Sequence, residues 1–241
     1  MIVDIFIPCY IDQYHPSTAW NMVKVLEHVG CGVNYNPDQT CCGLPAFHEG
    51  FRDHCKEVGE KLICEFQNDR YIVSPGGSCV NMIKNYYPEI FHNSSMHNEY
   101  KQVQKNIYEF SDFLVNIMNA SDVGAKLDGT AVFLDNCSAM RECRIGDAPR
   151  LLLSKVKGLK LVEFTDPDTC CGWGNTFASK FEDIAVKLAE KKLDQMEKLG
   201  ADLIISTDMG CLMHLEGVMK KRGMKGRVMH LADVLSAEAT K

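Results

Sequence analysis

The chain has 241 residues, of which 12 are cysteine, 24% are charged and 46% apolar, with a formal net charge of −6. That apolar fraction excludes a long disordered protein, and the acidic balance argues against a nucleic-acid binder, which carries a clustered basic face. No apolar run approaches the roughly 18 residues needed to span a bilayer, and cysteine is too sparse for a small disulfide scaffold yet too frequent to be incidental.

In chain order, residues 2–7 form a short apolar run of strand length. Asp4 interrupts it and no basic flank precedes it, so it reads as a buried strand and not a signal peptide. The expected compartment is therefore the cytoplasm, where thiols stay reduced and recurrent cysteines point to metal or redox chemistry. Ser17 to Val29 reads as a helix, with Ser17 or Thr18 as its cap and Gly30 just past its end. Glu49 to Phe66 carries helical apolar spacing, and residues 71–74 read as a strand followed by a helical segment from Val80 to Tyr87. The polar, glycine-containing stretch Ala120 to Thr130 reads as a linker. Beyond it, 131–135, 159–164 and 202–206 read as strands, Pro149 as the first turn of a helix, and Phe181 to Leu199 and Leu212 to Lys221 as helical. Strands alternating with helices predict an α/β fold with a parallel sheet covered on both faces.

The cysteines reveal a repeat. Cys9, Cys41, Cys42 and Cys79 recur as Cys137, Cys170, Cys171 and Cys211, displaced by 128, 129, 129 and 132 residues. Flanking residues repeat as well: Thr40-Cys-Cys-Gly-Leu-Pro-Ala-Phe47 parallels Thr169-Cys-Cys-Gly-Trp-Gly-Asn-Thr-Phe177, and Tyr71-Ile-Val-Ser-Pro-Gly-Gly-Ser-Cys79 parallels Leu203-Ile-Ile-Ser-Thr-Asp-Met-Gly-Cys211. Phe110-Ser-Asp-Phe-Leu114 likewise resembles Leu231-Ala-Asp-Val-Leu235. The chain therefore divides into two homologous halves, residues 1–122 and 123–241. Each lone cysteine follows a strand, and ligands of open α/β sheets gather at the carboxyl ends of strands, so the four cysteines of a half are expected to converge.

Four thiolates suit an iron–sulfur cluster or a tetrahedral zinc ion. Structural zinc sites use local C-x₂₋₄-C knuckles, which none of the eight repeated cysteines forms. A cluster presents several irons and accommodates adjacent thiolates more easily, so a [4Fe–4S] cluster is the first expectation and zinc the alternative. A redox-active disulfide between vicinal cysteines is a further reading. Cys31, Cys55, Cys64 and Cys143 fall outside the repeat and are expected to pack structurally, with Cys143 a spare ligand candidate. His48, His214 and His230 are candidates for hydrogen bonding a cluster, and Arg141 and Arg150 for gripping a carboxylate bidentately. Gly76-Gly77 matches neither phosphate-loop pattern, so no nucleotide site is expected.

These residues resemble the cysteine-rich CCG-domain family. Its members include the cysteine-rich subunit of heterodisulfide reductase, the iron–sulfur subunits of glycolate oxidase and anaerobic glycerol-3-phosphate dehydrogenase, and the lactate-utilization protein A group. The resemblance spans essentially the whole chain and is nearest to the last group, through Pro8-Cys9, Asp12, Pro16, Gln39 to Phe47, Gly50, Gly77-Ser-Cys79, Arg141, Pro149-Arg150 and Thr207 to His214. It implies two Rossmann-like CCG domains related by a pseudo-twofold, holding clusters on Cys9, Cys41, Cys42, Cys79 and on Cys137, Cys170, Cys171, Cys211. It implies an oxidoreductase subunit passing electrons during oxidation of L-lactate or a related 2-hydroxy acid, beside a ferredoxin-type iron–sulfur partner subunit. A thiol–disulfide reductase subunit and a non-catalytic zinc-stabilised module are the alternative functions. Where heterodisulfide-reductase relatives have CxxC, Gly76 and Asp208 replace the first cysteine, leaving four per site; Asp208 is then an oxygen-ligand candidate or a helix cap. Ser138 stands where members of the lactate group often have histidine.

Overall fold

The computed structural model describes residues 1–237, so the last four residues of the second half lie outside it. The first half forms a four-stranded sheet from β1 (Ile2–Ile5), β2 (Gly32–Tyr35), β3 (Ile72–Ser74) and β4 (Ile107–Glu109), ordered β2-β1-β3-β4. The second repeats it with β5 (Lys126–Leu134), β6 (Lys157–Val162), β7 (Leu203–Ser206) and β8 (Arg227–His230), ordered β6-β5-β7-β8. Every strand pairing is parallel. The α/β expectation and the doubling of one unit both hold.

The central strands are the β-branched runs that the sequence announced. Val3, Ile72, Val73, Val132 and Ile204 are each at most 1% exposed. β2, β4 and β8 had no such announcement. Each is an edge strand paired on one side only, so its few residues carry little continuous apolar character. β5 starts at Lys126, five residues before the expected strand, which turns much of the supposed linker into paired backbone.

Helix boundaries moved where backbone chemistry outweighed pattern. The first long helix runs Pro16–His28, with Pro16 at its first turn and no side-chain cap from Ser17 or Thr18. The helix expected over Glu49 to Phe66 begins only at Arg52 and runs to Phe66, and Gly50 at φ +80° parts it from a separate short helix, Leu44–His48. Glu182–Lys198 stops at Gly200, φ +65°, where a left-handed residue was expected. Cys79 and Cys211 lie inside the first turns of Gly77–Asn81 and Met209–Arg222, not ahead of them.

The two halves share a core. One continuous apolar cluster joins Ile5, Phe110 and Phe113 of the first half to Phe133, Ile205 and Leu235 of the second. Each fully buried aromatic contributes about 2 kcal/mol of burial to that junction. A second cluster, including Phe6, Phe66, Tyr87 and Phe91, stays within the first half. At the shared face, Pro16–His28 packs on Leu231–Leu235. Thr18 Oγ1 and Asn21 Nδ2 both donate to the Asp233 carboxylate, at 2.9 and 2.8 Å. In the mirrored place, Phe110–Asp112 packs on Asp147–Leu153. The carboxyl ends of β1, β3, β5 and β7 thereby open toward one seam, where the cysteine loops meet.

Candidate functional site

Each half brings its four repeated cysteines together by the same devices. Cys9 begins a helix directly after the chain leaves β1, with Pro8 in extended geometry ahead of it. Cys41 and Cys42 lie in the loop after β2, and Cys79 in the first turn after β3. The glycine of each Cys-Cys-Gly turns the chain so that both thiols face the same region. Gly43 has φ +84° and Gly172 φ +94°, conformations that cost a side-chain-bearing residue strain. Space is a second constraint. A Cβ on Gly43 would stand 3.0 Å from Cys55 Sγ, and one on Gly172 only 2.4 Å from the Ala185 carbonyl oxygen. Cys55, outside the repeated set, is thus the packing partner of the first glycine.

The thiols touch in series. Cys9 pairs with Cys41, Cys41 with Cys42, and Cys42 Sγ lies 3.3 Å from Cys79 Sγ. The second half repeats the order, from Cys137 to Cys170, Cys171 and Cys211. All twelve cysteines are free thiols, so neither vicinal pair is a disulfide. The backbone N–H of Gly43 donates to Cys41 Sγ at 3.4 Å, and that of Gly172 to Cys170 Sγ at 3.3 Å.

This arrangement concentrates negative charge on one sulfur per site. Donation from Cys42 and Cys9, with the Gly43 N–H, brings the Cys41 thiol down to about 3. Donation from Cys137 and Cys171, with the Gly172 N–H and nearby Arg141, brings Cys170 down to about 2. Cys9 and Cys137 move the other way, because each donates to that thiolate and is partly buried. Cys42 and Cys171 are raised for the same two reasons. In each site two thiols beside the lowered one are raised, Cys9 and Cys42 in the first and Cys137 and Cys171 in the second, so added positive charge would be needed to deprotonate them. A metal or a cluster supplies that charge. Among the described residues no group of three or more His, Cys, Asp or Glu side chains gathers around one point as ligands of a single ion. The serial contact of the thiols is consistent with that, and the donor chemistry suits metal or cluster binding.

The first site opens on a narrow cavity of about 30 Å³, walled by Pro8, Tyr10, Pro45, Gly76, Trp173 and Gly210. Tyr10 and Trp173 meet edge to face across the two halves, ring centroids 5.5 Å apart. Neither aromatic had a sequence signal, because each belongs to the wall through the other half.

The remaining candidates have structural occupations. Arg150 forks onto Asp135 at 2.8 and 2.7 Å and onto Glu163 at 2.9 Å, so its guanidinium is taken. Arg141 donates to the Asp168 carbonyl. His214 Nε2 lies 3.2 Å from the Ala185 carbonyl oxygen, and His48 is solvent exposed. His230 is buried and reaches the Pro75 carbonyl oxygen in the first half at 2.9 Å. Asp208 takes the capping role: its Oδ1 accepts from the Cys211 N–H at 3.1 Å. Cys143 packs against Asn81 and Asn85 instead of joining a thiol series, Cys31 Sγ lies 3.6 Å from Met118 Sδ, and Cys64 is exposed. Gly76 and Gly77 allow close packing, since Cβ atoms there would stand 2.5 Å from Pro8 Cγ and 2.8 Å from Ala139 Cβ. Ser138 opens a π-helical turn, Ser138–Glu142, beside Cys137.

Two parallel α/β halves, each converging four thiols at the carboxyl ends of its strands, define a cysteine-rich protein built for metal or cluster binding. The sequence matches the cysteine-rich domain family CCG over residues 3–84 and again over 131–216, and the chain belongs to that family. Among its full-length relatives, lactate utilization protein A of Anoxybacillus flavithermus is 37% identical over 237 residues, covering 98% of this chain and 99% of its own. The protein of the same name from Geobacillus kaustophilus is 38% identical over 238 residues, with 98% and 99% covered. That of Bacillus cytotoxicus is 36% identical over 240 residues, with 99% and 100% covered. A hypothetical protein from Helicobacter pylori, 14% identical, shares the fold with a TM-score of 0.62 over 100% of this chain and 49% of its own.

Proposed function

We propose that the protein is an iron–sulfur electron-transfer subunit of a cytoplasmic assembly that oxidises L-lactate or a related 2-hydroxy acid. The observation that carries this reading is the twofold convergence of four thiols, one sulfur of each set receiving both neighbouring thiols and a glycine backbone N–H. The relatives named for lactate utilization supply the substrate class.

In this reading Cys9, Cys41, Cys42 and Cys79 hold one cluster and Cys137, Cys170, Cys171 and Cys211 the other. A [4Fe–4S] cluster bound there supplies reversible one-electron storage. The chain's own residues set the terms. The Gly43 and Gly172 N–H groups stabilise negative charge on sulfur. Arg141 places positive charge beside the second site. Pro8, Tyr10 and Trp173 hold bulk water off the first. Arg150, the residue best shaped to grip a carboxylate, is engaged elsewhere. Hydroxy-acid chemistry is accordingly assigned to a partner subunit carrying ferredoxin-type clusters, with this chain as relay.

Anaerobic purification followed by iron, acid-labile sulfide and zinc quantitation, with EPR, tests the reading. Iron and sulfide in near-equal amounts are expected, reduced in Cys42→Ser and in Cys171→Ser. Stoichiometric zinc without sulfide would replace it with a zinc-stabilised interaction module. Turnover of small disulfides by the cluster-loaded protein alone would replace it with a thiol–disulfide reductase.

A further inference from the structure

The repeat is not symmetric where the two sites meet. Ser78, one residue before Cys79, donates its hydroxyl to Asp208 Oδ2 in the other half at 2.7 Å. Asp208 Oδ1 in turn accepts the backbone N–H of Cys211. Asn136, one residue before Cys137, donates through Nδ2 to Ser78 Oγ at 3.1 Å and lies 4.0 Å from Cys211 Sγ. Its Oδ1 accepts the Ala139 N–H at 2.8 Å, which fixes the turn after Cys137. Asn136 is 5% and Asp208 7% exposed, while Ser78 is half-buried, so a partner missing from either of the first two is costly.

By repeat register, the counterparts of Ser78, Asp208 and Asn136 are Gly210, Gly76 and Pro8. None carries a polar side chain, and the backbone leaves no room for one at the two glycines. A Cβ on Gly210 would stand 2.3 Å from Trp173 Nε1, and one on Gly76 2.5 Å from Pro8 Cγ. The second site is therefore braced by a hydroxyl from the first half, whereas Pro8, Gly76 and Gly210 offer the first site no side-chain donor, and the cavity they line is shared with Ser78 and Asp208.

We propose that Ser78 is a positioning residue for the second thiol site, acting across the pseudo-twofold through Asp208 and Asn136, an arm that Gly210, Gly76 and Pro8 do not return to the first site. Ser78 fixes the Asp208 carboxylate and the Asn136 amide, and these fix the Cys211 backbone and the field at its sulfur. Removing the hydroxyl leaves a buried carboxylate oxygen without its donor. The Cys211 turn then opens more often, and uncompensated negative charge stands beside Cys211. The redox form of this statement rests on the iron–sulfur reading above; the positional form does not.

The test uses the full chain with Ser78→Ala, Ser78→Thr and Asn136→Ala. Cys211 is buried, so its alkylation is limited by opening of the turn that holds it. In metal-free, reduced protein, iodoacetamide labelling mapped by mass spectrometry is expected to speed up about tenfold at Cys211 in Ser78→Ala, the effect of one lost charge-assisted hydrogen bond. Cys9 and Cys41 keep their rates, and Ser78→Thr, which keeps the hydroxyl, restores the slow rate. Asn136→Ala accelerates the same cysteine, and the double variant falls short of the product of the single effects, because both act in one network. In anaerobically prepared protein, EPR-monitored redox titration of Ser78→Ala shows the second-site signal moving to lower potential and the first-site signal staying in place. Equal acceleration at both sites, a change confined to Cys9 and Cys41, or multiplicative effects of Ser78→Ala and Asn136→Ala overturns the proposal. Absence of iron and sulfide in the wild type overturns the iron–sulfur reading alone, and the labelling result then decides this proposal by itself.

Discussion

Glu109 and His230 occupy the same place in the two halves. Each ends the last strand of its sheet and caps the short helix that follows. Glu109 Oε2 accepts the Ser111 N–H at 2.9 Å, and His230 Nδ1 accepts the Ala232 N–H at 3.1 Å. His230 goes on to bond the Pro75 carbonyl oxygen across the halves, while Glu109 Oε1 is buried without a partner among the described residues. The repeat has thus placed an acid and a base in equivalent buried positions, with opposite consequences for pH.

Burial pushes the Glu109 carboxyl up from 4.5 to about 7, against the helix N–H groups that favour its charge. The folded state therefore holds this proton more tightly than the unfolded chain does. Its contribution to stability is complete below 4.5 and is lost as pH rises through about 7. Glu109→Gln is expected to gain on the wild type by a few kcal/mol between pH 5 and pH 8, read from urea midpoints at each pH. A difference that does not change with pH removes Glu109 from this role.

His230 works the other way. Burial lowers its pKa below 6.5, so it stays neutral with Nε2–H donating to Pro75. Its contribution is present above 6.5 and is lost as pH falls, because the unfolded chain takes the proton more readily. His230→Gln should flatten the acid limb of the stability profile below pH 6.5, and ring-proton NMR of the wild type should place the His230 midpoint below that of an exposed histidine.

The two Cys-Cys-Gly turns differ in how much they tolerate. Gly172→Ala drives a Cβ into a backbone carbonyl, whereas Gly43→Ala meets chiefly the Cys55 sulfur. Both bear the strain of a left-handed backbone, about 1–3 kcal/mol. Thermal melts are expected to place Gly172→Ala below Gly43→Ala, and both below the wild type. Equal melting temperatures would show that the helix Glu182–Lys198 shifts freely.

Arg150 bridges a buried Asp135, whose side chain is 3% exposed, to a half-exposed Glu163. Arg150→Ala strands the Asp135 charge and is expected to cost about 3 kcal/mol in denaturant unfolding. Arg150→Lys loses the fork and recovers only part of this. If the proposed clusters are present, iron content per folded protein should be unchanged in both, since Arg150 bonds Asp135, Glu163 and Gly146 and none of the eight cysteines.

Much of the site was written in the chain. The eight cysteines in register, the glycine after each vicinal pair and the central strands all carry local signals: spacing, positive φ and apolar β-branched runs. The edge strands β2, β4 and β8 were not legible, because a strand paired on one side has no need of a continuous apolar run. Tyr10 and Trp173 were not legible as one wall, because they belong to different halves. The helix caps at Ser17 and Thr18 were misread because Thr18 spends its hydroxyl on Asp233, 215 residues away, instead of on its own helix.

By itself, then, the sequence determined that one α/β unit is present twice and that each copy carries four thiols at equivalent positions. Only the tertiary structure decided that the two sites differ. Ser78, Asn136 and Asp208 meet across a seam between sheets, 58 and 130 residues apart in the chain. Their counterparts Pro8, Gly76 and Gly210 carry no polar side chain to return the contact. Spacing along a chain records which residues repeat. Hydrogen bonds between the repeats depend on how their surfaces pack, and there the second site gained a brace that the first lacks.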